Sequence, residues 1–369
     1  MRIVLRWILV GACALTASAC AEKRASVVAP PATFPPLEKI SEVHVRVPAA
    51  GELPPVVGRV QQYRIVPKDT LLDVARNADL GFAEVKDANR EVDEWIPPAG
   101  RVVVVPTRWI LPHSQQHGIV INIPEMRLYM FPQRTKPGEQ VVVRTWPIAI
   151  GSDDTPSPVG PFTVISKDKN PTWYVPDSIY KTMDRPRHVV PPGPDNPMGE
   201  YRLKLSHGLY SIHGSNTPWA IGRETTHGCL RLYPEDLPVL YKMVKPPMSG
   251  EMVYEPVKVG AVDGHIYVEV HDDVYHRFHS LDAEAKRVVG AAHLDARVDP
   301  DLLRAAVRDR SGVPIDVTRG VAGGPKATTL DNAADSLPRS SPDAAPPINT
   351  DIHRARQGTK GTGQRFQPI

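Results

Sequence analysis

The sequence predicts a mostly-β domain with one main helix, preceded by a small β-α-α-β unit, and three observations lead there. Between 115 and 271, apolar and polar residues alternate in short runs, the period of half-buried strands. Within that span only 234–244 has convincing helical spacing, with Glu235 and Asp236 in its first turn, where the helix dipole favours acids. Ahead of it, 61–106 reads strand, helix, helix, strand. At 369 residues the chain is long for one domain, so two folded units plus unstructured segments are expected. Its 40 prolines, roughly twice the usual share, crowd at 30–36, 186–197 and 340–347 and mark linkers or long loops. A net charge of +3 is too small to argue for nucleic acid or a membrane surface as partner, and reads as a solvated, mixed surface.

The elements follow in order. Residues 1–20 place Arg2 and Arg6 before an apolar run and then small residues leading into Cys20, which reads as a secretory signal too short to remain as a membrane span. Residues 21–55 form a Pro/Ala/Val-rich spacer. In "YRIVPKDTLLDVARNADLGFAEVKDANREVDEWIPPAGRVVVVP", Tyr63 to Val66 is a short strand, Asp69 and Thr70 cap a helix over 71–77, Gly81 breaks it, 82–89 is a second helix, and 101–105 is a β-branched strand. Strand-type runs then follow at "GIVINIP", "RLYMFP", 140–150, 161–167, 201–212, 252–257 and 265–270. Beyond 277 lie one helix, over 299–310, and a Gly/Pro/Ser/Thr-rich tail, so 278–369 is expected to be a largely disordered extension.

The chain has three cysteines. Removal of the leader takes Cys13, a lipid would block Cys20, and only Cys229 remains as a thiol. An exported protein with one cysteine makes no internal disulfide, so a free thiol kept there points to use. Cys229 lies in "IHGSNTPWAIGRETTHGCLRL", 212–232, which holds two His-Gly steps, His213-Gly214 and His227-Gly228. A cysteine nucleophile needs a base for its proton, and attack on a carbonyl needs donors for the oxyanion, which a tight Gly-containing turn supplies from its backbone. Zinc could take His213, His227 and Cys229, but a structural site wants four ligands and no CxxC or HxxxH pair completes it. The PCxxC half of a deaminase site is absent too. A buried inert cluster would be a poor use of the polar residues between the two histidines. No metal and no cofactor is expected.

At these residues the chain resembles the L,D-transpeptidases with a YkuD-type catalytic domain, whose signature is His-Gly, a loop, then Ser/Thr-His-Gly-Cys, a hydrophobic residue and Arg; here these are His213, Gly214, Thr226, His227, Gly228, Cys229, Leu230 and Arg231. "DTPSPVGPFTV", "NPTWYVP", "PPGPDNPMG" and "RLYPEDL" resemble further segments of that family, while Thr226 replaces the commoner Ser and His207 stands where an apolar residue is usual. The resemblance implies a YkuD-type β-sandwich over 115–271. It also implies cysteine acyl transfer: Cys229 as nucleophile, His213 as base oriented by the Gly214 carbonyl, and the Gly228 and Cys229 amides with His227 around the oxyanion. Arg231, Trp219, Tyr210 and Thr226 are candidates for holding the substrate. The implied substrate is the tetrapeptide stem of peptidoglycan. The implied acceptor is a second stem, an outer-membrane lipoprotein, or water in a hydrolase; a catalytically dead wall-binding protein is the further alternative. The 61–106 unit resembles a LysM module, which binds glycan strands, with Lys68 where such modules usually carry Gly. The leader resembles a lipoprotein signal, implying a lipid at Cys20 and, with Ala21 after it, the periplasmic face of the outer membrane.

Overall fold

In the computed structural model the described residues are 36–320, apart from 115, 182, 184 and 185. The leader with Cys13 and Cys20, residues 21–35 of the spacer and the tail from 321 onward lie outside them. Nine strands form one sheet in the order Glu42–Arg46, Gln140–Pro147, Arg127–Met130, Ile119–Asn122, Met248–Val253, Gly160–Lys169, Tyr201–Leu205, Ser211–His213 and Leu230–Arg231. Two neighbouring pairs are parallel, Met248–Val253 with Ile119–Asn122 and Ser211–His213 with Leu230–Arg231. The fold is mostly β, with the helix Leu237–Met243 against the sheet.

The central strands are buried on both faces, which accounts for the near-continuous apolar run of "GIVINIP". Ile119 and Ile121 join a core with Leu203, Ile212, Leu230 and Leu240. Val120, between them, joins a second core with Val143, Leu71, Val85 and Val103. One strand thus nails the β-α-α-β unit to the sheet. That unit has strand Gln61–Arg64 antiparallel to Val102–Val105, with helices Leu71–Asn77 and Phe82–Asp87 between them. Thr70 and Asp73 close a capping box at the first helix. Lys68 has φ 80°, the left-handed region that disfavours a side chain.

The unit docks through backbone bonds. The Phe82 amide donates to the Ile221 carbonyl at 3.0 Å and the Ala83 amide to the Gly222 carbonyl at 3.2 Å. Gly222 is required there, because an added Cβ would sit 2.3 Å from the Phe82 nitrogen. Beside this seam the fully buried Arg127 pairs with Glu84 at 2.9 Å.

Several boundaries differ from those the sequence suggests. The spacer contributes the edge strand Glu42–Arg46, whose Val43 and Val45 are buried. The single run 201–212 is a hairpin, Tyr201–Leu205 and Ser211–His213, and His207 lies in its turn, where an apolar side chain is not needed. The strands Val257–Val262 and His265–Val270 do not close the main sheet; they form a three-stranded sheet with Ile315–Asp316. Helices Leu281–Ala291 and Pro300–Asp309 cover that sheet around a third core, where Val259 and Val268 meet Ala285, Val289 and Leu303. Residues 281–316 are therefore a folded layer rather than a disordered extension, held by apolar burial that a reading of local composition misses.

Candidate active site

His213 and Cys229 come together because the two short strands that carry them are parallel neighbours. Ile212 lies opposite Leu230 and His213 opposite Arg231. Ile212 and Leu230 point into the core. Side chains alternate along a strand, so His213, Cys229 and Arg231 share the other face. From strand spacing and rise, the Cα atoms of His213 and Cys229 are about 8 Å apart on the diagonal, within reach of an imidazole.

His213 is buried, and its Nδ1 donates to the Gly214 carbonyl at 2.8 Å. A carbonyl can only accept, so this bond selects the Nδ1–H tautomer and leaves Nε2 with its lone pair. Burial first, then the Arg231 charge, lowers the His213 pKa to about 3, against the Gly214 and Pro197 carbonyls, which favour protonation. The ring is therefore neutral near pH 7. Cys229 is half-buried and free of any disulfide. Burial pushes its thiol up; the Ser211 amide and the charges of Arg231 and Arg202 oppose this without overcoming it. In the resting site the thiol donates to the Leu209 carbonyl, 3.9 Å away. Burial thus favours the uncharged form of both side chains, raising the Cys229 thiol and lowering the His213 imidazole.

The turn before Cys229 is held from both sides. The buried Thr226 hydroxyl accepts the Gly228 amide at 3.1 Å and donates to the Cys229 carbonyl at 2.5 Å. This corrects two expectations. The Gly228 N–H is spent inside the turn and does not face an oxyanion, and Thr226 shapes the turn rather than touching substrate. Gly228 has φ 93°, and a Cβ there would lie 2.4 Å from the Tyr210 ring, so Tyr210 walls the turn. His227 is half-buried beside it, Arg231 is buried on the His213 face, and Trp219 is exposed on the short helix Pro218–Ala220.

Three residues given no role from the sequence hold this arrangement. Ser157, fully buried, donates to the Gly228 carbonyl at 3.1 Å and accepts the Gly151 amide at 2.9 Å. Asn196, also buried, ties a long loop together: its amide donates to the Pro171 carbonyl at 2.9 Å and its oxygen accepts the Met198 amide at 2.9 Å. The Met198 carbonyl in turn accepts the Gly214 amide at 3.0 Å. A small polar residue within a Pro/Gly-rich run was the available signal for both. Tyr275 is the third, and it lies beyond the expected domain boundary at 271 yet inside the main core. Among the described residues the trio with metal-ligand spacing is Glu125, in the turn before Arg127–Met130, Glu269 on His265–Val270, and His271 just after that strand. There the Lys258 ammonium already bridges the two carboxylates at 2.7 and 2.8 Å.

With the geometry in place, residues 116–261 match the family model described as the L,D-transpeptidase catalytic domain, YkuD. The Escherichia coli (strain K12) protein named Probable L,D-transpeptidase YcfS is 34% identical over 290 residues, which are 72% of this chain and 88% of that protein. Probable L,D-transpeptidase YbiS of the same organism is 34% identical over 253 residues, 65% of this chain and 81% of that protein. Among solved structures, the NMR structure of the catalytic domain from E. faecium L,D-transpeptidase is 20% identical and covers 38% of this chain and 100% of that one, with a TM-score of 0.30.

Proposed function

The chain belongs to the L,D-transpeptidase family, and on that premise we propose that it is a periplasmic cysteine acyltransferase acting on the tetrapeptide stems of peptidoglycan. The observation that carries the reading is the shared face of His213 and Cys229 above a turn pinned on both sides. As the scissile carbonyl approaches, the thiol proton passes to His213 Nε2 and sulfur adds to the carbonyl carbon at the L-centre of the third residue. The oxyanion is met by the Cys229 amide, with His227 at the rim. Collapse expels the terminal D-alanine, whose nitrogen takes the proton from His213, and leaves a thioester on Cys229. An amine then attacks the thioester, giving its proton to His213, and the sulfur departs and is reprotonated. The new amide draws its energy from the old one, so no nucleotide is needed. Catalytic hydrogen bonds tighten when substrate is bound, which fits a resting thiol that donates to Leu209. Arg231, Tyr210 and Trp219 line the approach for the stem.

The acceptor in this reading is a second stem, giving a 3→3 cross-link, or a lysine of an outer-membrane lipoprotein. Export rests on Arg2, Arg6 and the apolar run that follows, and anchoring to the outer membrane on a lipid at Cys20; the β-α-α-β unit would bring glycan strands to the site. The test is to incubate the purified protein with tetrapeptide muropeptides, with and without a lysine-bearing acceptor peptide, and weigh the products. Dimers or peptide adducts with released D-alanine are expected. Tripeptides alone would make the protein a hydrolase, and no change would make it a binding protein.

A further inference from the structure

Tyr275 reaches the catalytic turn from outside the span that matches the family model. It follows the strand His265–Val270, and its ring is buried in the main core. Its hydroxyl donates to the Gly151 carbonyl at 2.9 Å and accepts the Ser157 amide at 3.1 Å, so one oxygen closes both ends of the 151–157 loop. The same loop faces the turn. The Ser152 amide donates to the Thr226 carbonyl at 2.9 Å, the Ser157 hydroxyl holds the Gly228 carbonyl, and a Cβ on Gly151 would come within 2.8 Å of the Gly228 Cα.

The Gly228 carbonyl belongs to the peptide unit that carries the Cys229 N–H. That unit is planar and trans, so its carbonyl and its N–H point in opposite directions. Fixing the carbonyl on Ser157 therefore aims the Cys229 N–H to the other side. Since Thr226 occupies the Gly228 N–H, the Cys229 amide is the main-chain donor this turn offers to an oxyanion. Tyr275 is itself braced: its amide donates to the Tyr254 hydroxyl at 2.8 Å, and that hydroxyl donates to Asp273 at 2.5 Å. Asp273 also accepts the amides of Arg277 and Phe278.

We propose that Tyr275 is a positioning residue for acyl transfer: its hydroxyl fixes the 151–157 loop, the loop fixes Ser157, and Ser157 holds the Gly228–Cys229 peptide so that the Cys229 amide meets the oxyanion. This rests on the cysteine acyl-transfer reading above. The residue does not touch substrate, and its effect belongs to the addition step alone. Alkylation of the same sulfur by iodoacetamide is a displacement at saturated carbon that develops no oxyanion, so it is indifferent to that amide.

The experiment compares the two reactions in the full chain. Tyr275→Phe removes one oxygen and keeps the ring in the core. Acylation of Cys229 by tetrapeptide muropeptide, read as D-alanine release, is expected to slow by about 10- to 100-fold through kcat, the range expected for a misplaced oxyanion donor. KM and the iodoacetamide rate should stay within about twofold. Ser157→Ala should show the same split, and the double variant should lose no more than the worse single one, because both act through one chain of contacts. Equal slowing of both reactions would mean general damage to the site and would overturn the proposal, as would an unchanged acylation rate or a multiplicative loss in the double variant. Wild-type protein that is alkylated but never acylated would remove the proposed function as well, which separates that failure from failure of the Tyr275 role.

Discussion

His213 and Lys258 are both 3% exposed, yet burial leaves one uncharged and the other charged. Lys258 lies where the main sheet, the strand Arg108–Ile110 and the C-terminal sheet converge. Its ammonium donates to the Ile110 carbonyl at 2.6 Å and to Glu125 at 2.7 Å, and pairs with Glu269 at 2.8 Å. Glu269 also takes the Ile110 amide at 2.5 Å and His271 Nε2 at 2.6 Å. Burial alone would lower the Lys258 pKa, but the two carboxylates raise it; burial alone would raise Glu269, but Lys258 and His271 lower it. Around His213 the near charge is Arg231, of the wrong sign to hold a proton, and the imidazole stays neutral. A buried group with a counter-charge becomes a strut, while one without it keeps the capacity to accept a proton.

The sharpest way to break the reactive side is Cys229→Ala, which should abolish D-alanine release while leaving the denaturant midpoint near that of wild type. Retained release would place the nucleophile elsewhere. His213→Ala should lower kcat by about 100- to 10,000-fold, the usual worth of a general base, again with folding preserved.

Removing everything before 112 attacks the structural side, because it deletes Ile110, the backbone partner of both Lys258 and Glu269, together with Glu84 opposite Arg127. Activity should fall on soluble muropeptides, because the fold loses these contacts, and should fall further on intact sacculi, where the glycan contact is lost as well. A loss confined to sacculi would mean that the β-α-α-β unit acts only as a glycan tether. More locally, Lys258→Met leaves two buried carboxylates uncompensated and should destabilise by about 3–5 kcal/mol, measured by urea unfolding, with activity per folded molecule retained.

The pH response separates the regions again. The folded His213 pKa of about 3 lies below its ordinary value of 6.5, so the folded state binds the proton less well than the unfolded one. The stability tied to a neutral ring is therefore full above pH 6.5 and is lost as pH falls toward 3. Wild type should weaken relative to His213→Gln across that window. Because burial raises the Cys229 thiol, iodoacetamide labelling should climb through the alkaline range; a plateau between about pH 5 and 8 would reveal a thiolate–imidazolium pair instead. The smallest expected effect is a control remote from both regions: Lys68→Gly relieves the left-handed backbone and should add about 0.5–1 kcal/mol of stability.

Much of the site was legible because its parts are local. His213, Gly214 and the 226–231 run each lie within a few residues, and the Gly-containing turn states its own requirement for a positive φ. The mostly-β character was legible for a similar reason, since a two-residue period is a property of each strand alone. The strand Val257–Val262 escaped notice because its burial comes from Ala285, Val289 and Leu303, far along the chain.

The sequence by itself determined the family, because His-Gly and Thr-His-Gly-Cys stand at the spacing of its signature, and it put forward Cys229 as nucleophile and His213 as base. Only the tertiary structure decided how the atoms are used. The Gly228 N–H is consumed by Thr226, the Gly228–Cys229 peptide is turned by Ser157 under Tyr275, and the β-α-α-β unit is bonded to the loop that leads to Cys229. Each of these depends on which distant residues meet. A hydrogen bond is satisfied or lost over a few tenths of an ångström, and no periodicity or motif along the chain carries that information.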